Sequence, residues 1–195
     1  MWYMYPMVQS GVPTSQARER LLKAAVDHSL SDGIVDLSLR EIAAAIGTSH
    51  RMLIYHFGSR EGLLVAVVRE VERRQREAFA YTTLSTQEAR RRWSLWADPS
   101  FYGQERLFFE IYSHALLGRP GTEGFLEEVL DGWISPLVDA MTADGLGEAD
   151  AMAVARLSVA VTRGLLLDLL ASGDREGTTR AFALFTTLLE QWSPG

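Results

Sequence analysis

The four histidines, His28, His50, His56 and His114, are too scattered along the chain to suggest a metal cluster. There is no cysteine, which removes disulfides, thiolate metal sites and cysteine nucleophiles together. No Gly-rich phosphate loop, no H-E-x-x-H and no G-x-S-x-G occurs. Carboxylate pairs such as Glu127-Glu128 fit a helix surface. The expectation is a protein that is not an enzyme and needs neither cofactor nor metal. The spacing that does carry chemistry lies in residues 37–57. Ser38-Leu39-Arg40-Glu41 is a capping box that starts a helix, Gly47-Thr48-Ser49 is a turn, and a short second helix follows from Ser49 to about Tyr55. Two small helices joined by a Gly-containing turn make a helix-turn-helix. Its chemistry is groove reading: the first helix packs and crosses the DNA backbone, the second offers side chains to the major groove. That second helix is too short to be stable alone and must be held through Leu53 and Phe57.

The chain has 195 residues, 47% of them hydrophobic, enough for a sizeable core and too apolar for a disordered chain. The net charge of −6 weighs against a nucleic-acid partner, because such proteins usually carry a basic face. The charge is uneven, however. Residues 1–80 hold ten Lys+Arg against nine Asp+Glu, and residues 81–195 hold nine against sixteen. A near-neutral N-terminal part can still carry a local basic stripe, with the acidic part facing away from DNA. Met1 to Val12 is aromatic and Pro-interrupted, unlike a secretion signal. No apolar run approaches the roughly 20 residues of a membrane span, and the longest, around 157–171, is broken by Arg163 and Asp168. A soluble cytoplasmic protein with no membrane partner is expected.

The periodicity is helical throughout, and an all-α fold of about nine helices is predicted. Residues 1–14 read as a flexible arm. A helix over Ser15 to Ser31 points Leu21, Leu22, Ala25 and Leu30 inward and stops at Gly33. Ser59 caps a long helix with Leu63, Leu64, Val67, Val68 and Val71 as its apolar stripe, and its charged half, Arg69 to Glu77, reads as a solvated face. Ser85-Thr86-Gln87-Glu88 is a second capping box, opening a helix that ends at Asp98-Pro99. Asp98 caps the next helix, which carries Phe101, Phe108, Phe109, Tyr112 and Leu116. A helix over 122–141, bent near Pro136, and two more over 148–171 and 174–192 complete the chain.

The stretches LLKAAVDHSLSDG (21–33) and SLREIAAAIGTSHRMLIYHFGSREGLL (38–64) resemble the N-terminal domain of the TetR family of repressors. Arg40, Ile42, Ala43, Gly47, Ser49, Leu53, His56, Phe57, Arg60, Leu63 and Leu64 occupy the family's positions. Ser29 stands where an aromatic is usual, and Ile54 where a Tyr is usual. The resemblance implies a helix-turn-helix DNA-binding domain over 15–58 and a helical ligand-binding and dimerisation domain over 59–195. It implies a repressor, near-palindromic operator DNA as partner, a small, largely apolar effector, and a homodimer. Thr48, Ser49, Arg51, Met52 and Tyr55 would face the groove. Arg51 would meet either guanine O6/N7 or a phosphate, and Tyr55 would either join them or pack in the core. Ser38, Arg40, His56 and Arg60 would hold phosphates, with His56 alternatively closing the helix.

The C-terminal aromatics read either as an ordinary core or as the wall of a cavity. In the second reading Trp93, Trp96, Phe101, Phe108, Tyr112, His114 and Trp133 are the candidate ligand contacts. Arg90-Arg91-Arg92 reads as a solvated helix face, or as a carboxylate-binding mouth. Leu157, Val161, Leu165, Leu166 and Leu169 form one stripe and Phe182, Phe185, Leu188, Leu189 and Trp192 another. The two stripes are expected to pair across a two-fold axis. The rival function is a helical interaction module that keeps the helix-turn-helix as scaffold without specific DNA binding.

Overall fold

A computed structural model of the chain describes residues 14–78 and 85–192. The predicted N-terminal arm lies outside the described residues, except that Thr14 opens the first helix. Among the described residues there are nine α-helices, one 3-10 turn and no strand. The elements are α1 (Thr14–Ser31), α2 (Leu39–Ala45), α3 (His50–Phe57), α4 (Arg60–Ala78), α5 (Thr86–Trp96), the 3-10 turn Pro99–Phe101, α6 (Tyr102–Leu116), α7 (Phe125–Ala143), α8 (Glu148–Ser172) and α9 (Arg175–Gln191).

The helix starts follow the sequence chemistry. At α2 the Ser38 hydroxyl accepts from Glu41 N, and the Glu41 carboxylate accepts from Ser38 N at 2.7 Å. At α5 the Ser85 hydroxyl accepts from Glu88 N. Each arrangement satisfies backbone donors that the first helical turn leaves open. The predicted helix over 122–141 starts three residues later, at Phe125, because Gly121 and Gly124 take positive φ values of 89° and 70°. It runs on through Pro136 without a break. Leu30 was expected to point inward and instead stands in solvent.

One core joins α1, α2, α3, α4, α6 and α7, from Ala25 and Val26 through Leu53, Leu63 and Val67 to Ile111 and Val129. The domain boundary expected at residue 58 is therefore crossed by continuous apolar packing along α4. A second core joins α5, α8 and α9 around Trp93, Leu166, Leu169 and Phe182. Trp93 stacks on Phe182 with ring centres 4.8 Å apart and donates its indole N–H to Thr179. The charged half of α4 divides. Glu70, Arg73, Arg74 and Glu77 form surface ion pairs, and these pull the Glu70 carboxyl down to about 2. Glu72, expected in solvent, is buried.

Candidate functional site

α2 and α3 meet at Gly47, whose φ of 69° puts its backbone where only glycine sits without strain. The turn is closed by Thr48 N donating to Ala43 O at 2.9 Å. Ser49 then caps α3, its hydroxyl accepting from Met52 N at 3.2 Å. Leu53 and Phe57 are the buried residues of α3, which leaves a continuous outer face. On that face Ser49, Arg51, Met52 and Tyr55 are exposed, and Thr48 is half-buried beside them. Tyr55 is 69% exposed, so it is not a core residue. Ser38 and Arg40 lie exposed at the start of α2. Neither Arg40 nor Arg51 is held in an ion pair among the described residues. His56 is half-buried against the Tyr55 ring at 4.9 Å, and its Nε2 is buried without a protein partner there. Gly58, not His56, ends the helix.

Arg60 has other work than the phosphate contact expected of it. Its Nε donates to Leu37 O at 2.8 Å, a second nitrogen donates to Val35 O, and the guanidinium lies 3.7 Å from the Glu110 carboxylate. It braces the first turn of α4 against the α1–α2 connection and α6. Arg60→Ala is expected to lower stability by about 1–3 kcal/mol through the lost carbonyl partners, read as a drop in Tm. A variant of unchanged Tm with weakened DNA binding would restore the phosphate role.

Behind the reading head, α4 to α9 enclose a cavity of about 650 Å3. Trp96, Phe108 and Trp133, three of the candidate ligand contacts, line it. Trp93, Phe101, Tyr112 and His114 do not. Trp93 is core, Tyr112 lines a smaller cleft of about 280 Å3 beside Arg163, and Phe101 and His114 border neither space. Phe185 and Leu189, assigned to the dimer surface by periodicity, line the cavity too. Of the Arg triple, Arg92 is buried and lines the cavity, while Arg90 turns to α9 and Arg91 to Glu88. Arg90 donates to Thr186, Thr187 and Ala183 O on α9, and Arg91 and Arg92 hold Glu88 at 2.8 and 3.1 Å.

The sequence reading missed two buried acids on this cavity, Glu72 and Glu105. Glu72 accepts the Trp133 indole N–H and lies 3.8 Å from Arg76. Burial raises its carboxyl above the usual range, against the pull of that hydrogen bond and of Arg163 and Arg76. Burial, then the neighbouring Glu72 charge, push Glu105 up to about 8, with Arg163 opposing. The signal was available: Glu105 falls four residues after Phe101 and three before Phe108, inside an aromatic face. An unfolded Glu105 ionises near its ordinary 4.5 and the native one only near 8. Between those values the unfolded chain holds fewer protons, so this group makes stability fall as pH rises through that window. Glu105→Gln removes the penalty. Its Tm advantage over the parent chain should grow from pH 4.5 to 8 and level off above; a pH-independent difference would place Glu105 in contact with water.

Residues 21–67 match the family described as bacterial regulatory proteins, tetR family. The helix-turn-helix lies entirely within the matched segment. Residues 21–67 are a TetR-family DNA-binding domain. No curated protein matches the chain at the level of sequence. Solved structures share its fold over nearly the whole length. A transcriptional regulator from Rhodococcus sp. superposes with TM-score 0.70 at 20% identity, covering 91% of this chain and 99% of that one. A TetR-family transcriptional regulator from Pectobacterium atrosepticum gives 0.68 at 20%, covering 90% and 93%. The multidrug binding protein EbrR, complexed with ethidium, gives 0.63 at 26%, covering 86% and 96%.

The chain thus carries a TetR-family segment over residues 21–67 within an all-α fold shared with TetR-family regulators of known structure. Among the described residues no helix is long and apolar enough to cross a membrane. The last two helices carry an exposed apolar face, which coincides only in part with the one periodicity selected. Leu169 and Phe182 are buried within the subunit, Val161 and Leu165 are half-buried, and of the predicted stripes Leu157, Leu188 and Trp192 are exposed. The outward face of α8 is Ala153, Leu157, Ala160, Gly164 and Leu167, and that of α9 is Leu184 and Leu188. The α8 residues recur at alternating steps of four and three, a seam suited to a partner helix.

Proposed function

We propose that this TetR-family chain is a repressor that binds a near-palindromic operator as a homodimer and lets go when a small, largely apolar ligand enters the cavity. The observation that carries the reading is the placement of α4. Its first residue, Arg60, is braced to the backbone that leads into α2. Glu72 and Gln75, three to four turns further on, line the cavity. A ligand that moves this helix therefore moves the reading head.

The DNA contacts follow from exposure and donor chemistry. Arg51, Met52 and Tyr55 enter the major groove with Thr48 and Ser49 at its edge, and Ser38, Arg40 and the N-terminus of α2 meet phosphates. His56, with a buried unpartnered nitrogen, supports Tyr55 rather than the DNA. One such head reads half an operator, so two subunits pair through the exposed faces of α8 and α9 and set the half-site spacing. Ligand must bind the non-DNA geometry better than the DNA-bound one, since otherwise nothing shifts. That the EbrR fold relative holds ethidium supports the cavity as the ligand's place.

The test is titration of purified protein onto the DNA upstream of its own gene across a salt series. Tight, salt-sensitive binding to a short near-palindrome is expected. Weak binding, equal on all sequences, would overturn the reading in favour of an interaction module.

A further inference from the structure

We propose that the cavity receives, beside Glu105, the protonated nitrogen of an aromatic amine or amidine, with the Glu105 carboxylate as its counter-ion and Trp96 and Trp133 as walls. This names the ligand class of the same cavity and rests on the reading of that cavity as an effector site.

Charge on the cavity wall is the first argument. Five carboxylates line it, Glu72, Glu88, Glu105, Asp144 and Glu190, against two arginines, Arg92 and Arg163. An anion would meet a wall with more carboxylates than arginines. Partnership is the second. Glu88 is taken by Arg91 and Arg92, Glu190 accepts from Thr86, and Glu72 accepts from Trp133. Glu105 is 8% exposed and makes no hydrogen bond or ion pair with any described residue. Arg163, the cation nearest in effect, lies over the Phe108 ring at 5.0 Å and donates to Val129 O, with its other terminal nitrogen buried without a hydrogen-bond partner. A buried carboxyl without a partner is costly unless something that enters the site satisfies it.

The walls supply the third argument. The Trp96 and Trp133 rings stand edge to face with centres 5.8 Å apart, and Phe108 lies beside Glu105 on α6. Aromatic faces attract a cation as well as an apolar body. The groups facing Glu105 are Glu72 from α4 and Arg163 from α8, one of each sign. Glu105 is thus mostly protonated at neutral pH, and an entering ammonium or amidinium displaces that proton. Nitrogen stays charged, carboxyl becomes carboxylate, and the proton goes to the buffer.

The experiment compares 2-naphthylmethylamine, 2-naphthylmethanol and 2-naphthoate on the whole protein at pH 7, by calorimetry and tryptophan quenching. The amine should bind at least about tenfold more tightly than the alcohol and the naphthoate most weakly. The heat for the amine should vary with the ionisation enthalpy of the buffer, reporting proton release. Glu105→Gln should erase the amine's advantage and the proton release while leaving the alcohol's affinity unchanged. Ranking and proton release are read on the unaltered chain, so an unfolded variant does not rescue the idea. Equal binding of amine and alcohol, tightest binding of naphthoate, binding of none of the three, or an amine preference that survives Glu105→Gln would each overturn it. A Glu105-dependent amine preference with no effect on operator affinity keeps this inference and sinks the ligand-release reading. Operator release by a ligand indifferent to Glu105→Gln does the opposite.

Discussion

Replacing both Leu184 and Leu188 by Glu is expected to leave a folded monomer that has lost at least about a thousandfold of operator affinity. Leu184 is 60% exposed and Leu188 56% exposed. Nothing within the subunit depends on them, so the melting temperature of the isolated chain should move little beyond the loss of any dimer-derived stability. Across a two-fold axis, four carboxylates would be forced into a dry apolar seam. Desolvating them costs far more than the seam gains. Two half-site contacts held in one body bind at high effective concentration, and a lone subunit forfeits that. Sedimentation gives the assembly state and a mobility-shift titration gives the affinity. A variant that still sediments as a dimer would show that the subunits meet elsewhere.

Arg51→Ala is expected to cost about 1–3 kcal/mol of specific binding, roughly ten- to a hundredfold, with little change on unrelated DNA. Arg51 is exposed and has no ion-pair partner within the described chain, so its loss leaves the fold unchanged. The measurement also decides the alternative left open by the sequence. If Arg51 grips a phosphate, binding should weaken evenly on all sequences and the salt slope should fall by about one. Arg60→Ala forms the contrast. Its damage should appear in Tm, because its donors are spent on Val35 and Leu37.

The parts of this fold that are written locally were legible. Ser38 and Ser85 with their Glu partners, Gly47 at the turn, and Asp98 before Pro99 each act on backbone groups within three residues, so spacing alone reveals them. The outward face of α3 followed once Leu53 and Phe57 were set inward. What needed tertiary knowledge was lost. α8 is apolar on several sides at once, with Leu157, Val161, Leu165, Leu166, Leu167 and Leu169 in a dozen or so residues, and period counting cannot choose among its faces. The choice falls to the neighbours: α5 and α9 cover Leu166 and Leu169, and Leu157 and Leu167 are left over. Glu72 was hidden by company. Its sequence neighbours Glu70, Arg73 and Arg74 are surface ion pairs, and a charged residue among them reads as one more. Arg60 deceived differently, since a basic residue at a helix start beside a helix-turn-helix suits a phosphate as well as it suits two carbonyls.

The brace at Arg60 has a mechanical consequence. With 19 residues at 1.5 Å each, α4 is a rod about 28 Å long. If it pivots at its cavity end by about 5°, its other end travels about 2.4 Å. Because Arg60 fastens the backbone at Val35 and Leu37 to that moving end, the reading head is carried along instead of lagging behind. Symmetry doubles the displacement, so two heads spaced for a groove repeat of about 34 Å fall out of step by about 5 Å. On the proposed ligand-release reading, a small rotation in the interior would thus become a misfit at the DNA large enough to break hydrogen bonds, with the gain of this calliper set by the length of one helix and the stiffness of one arginine.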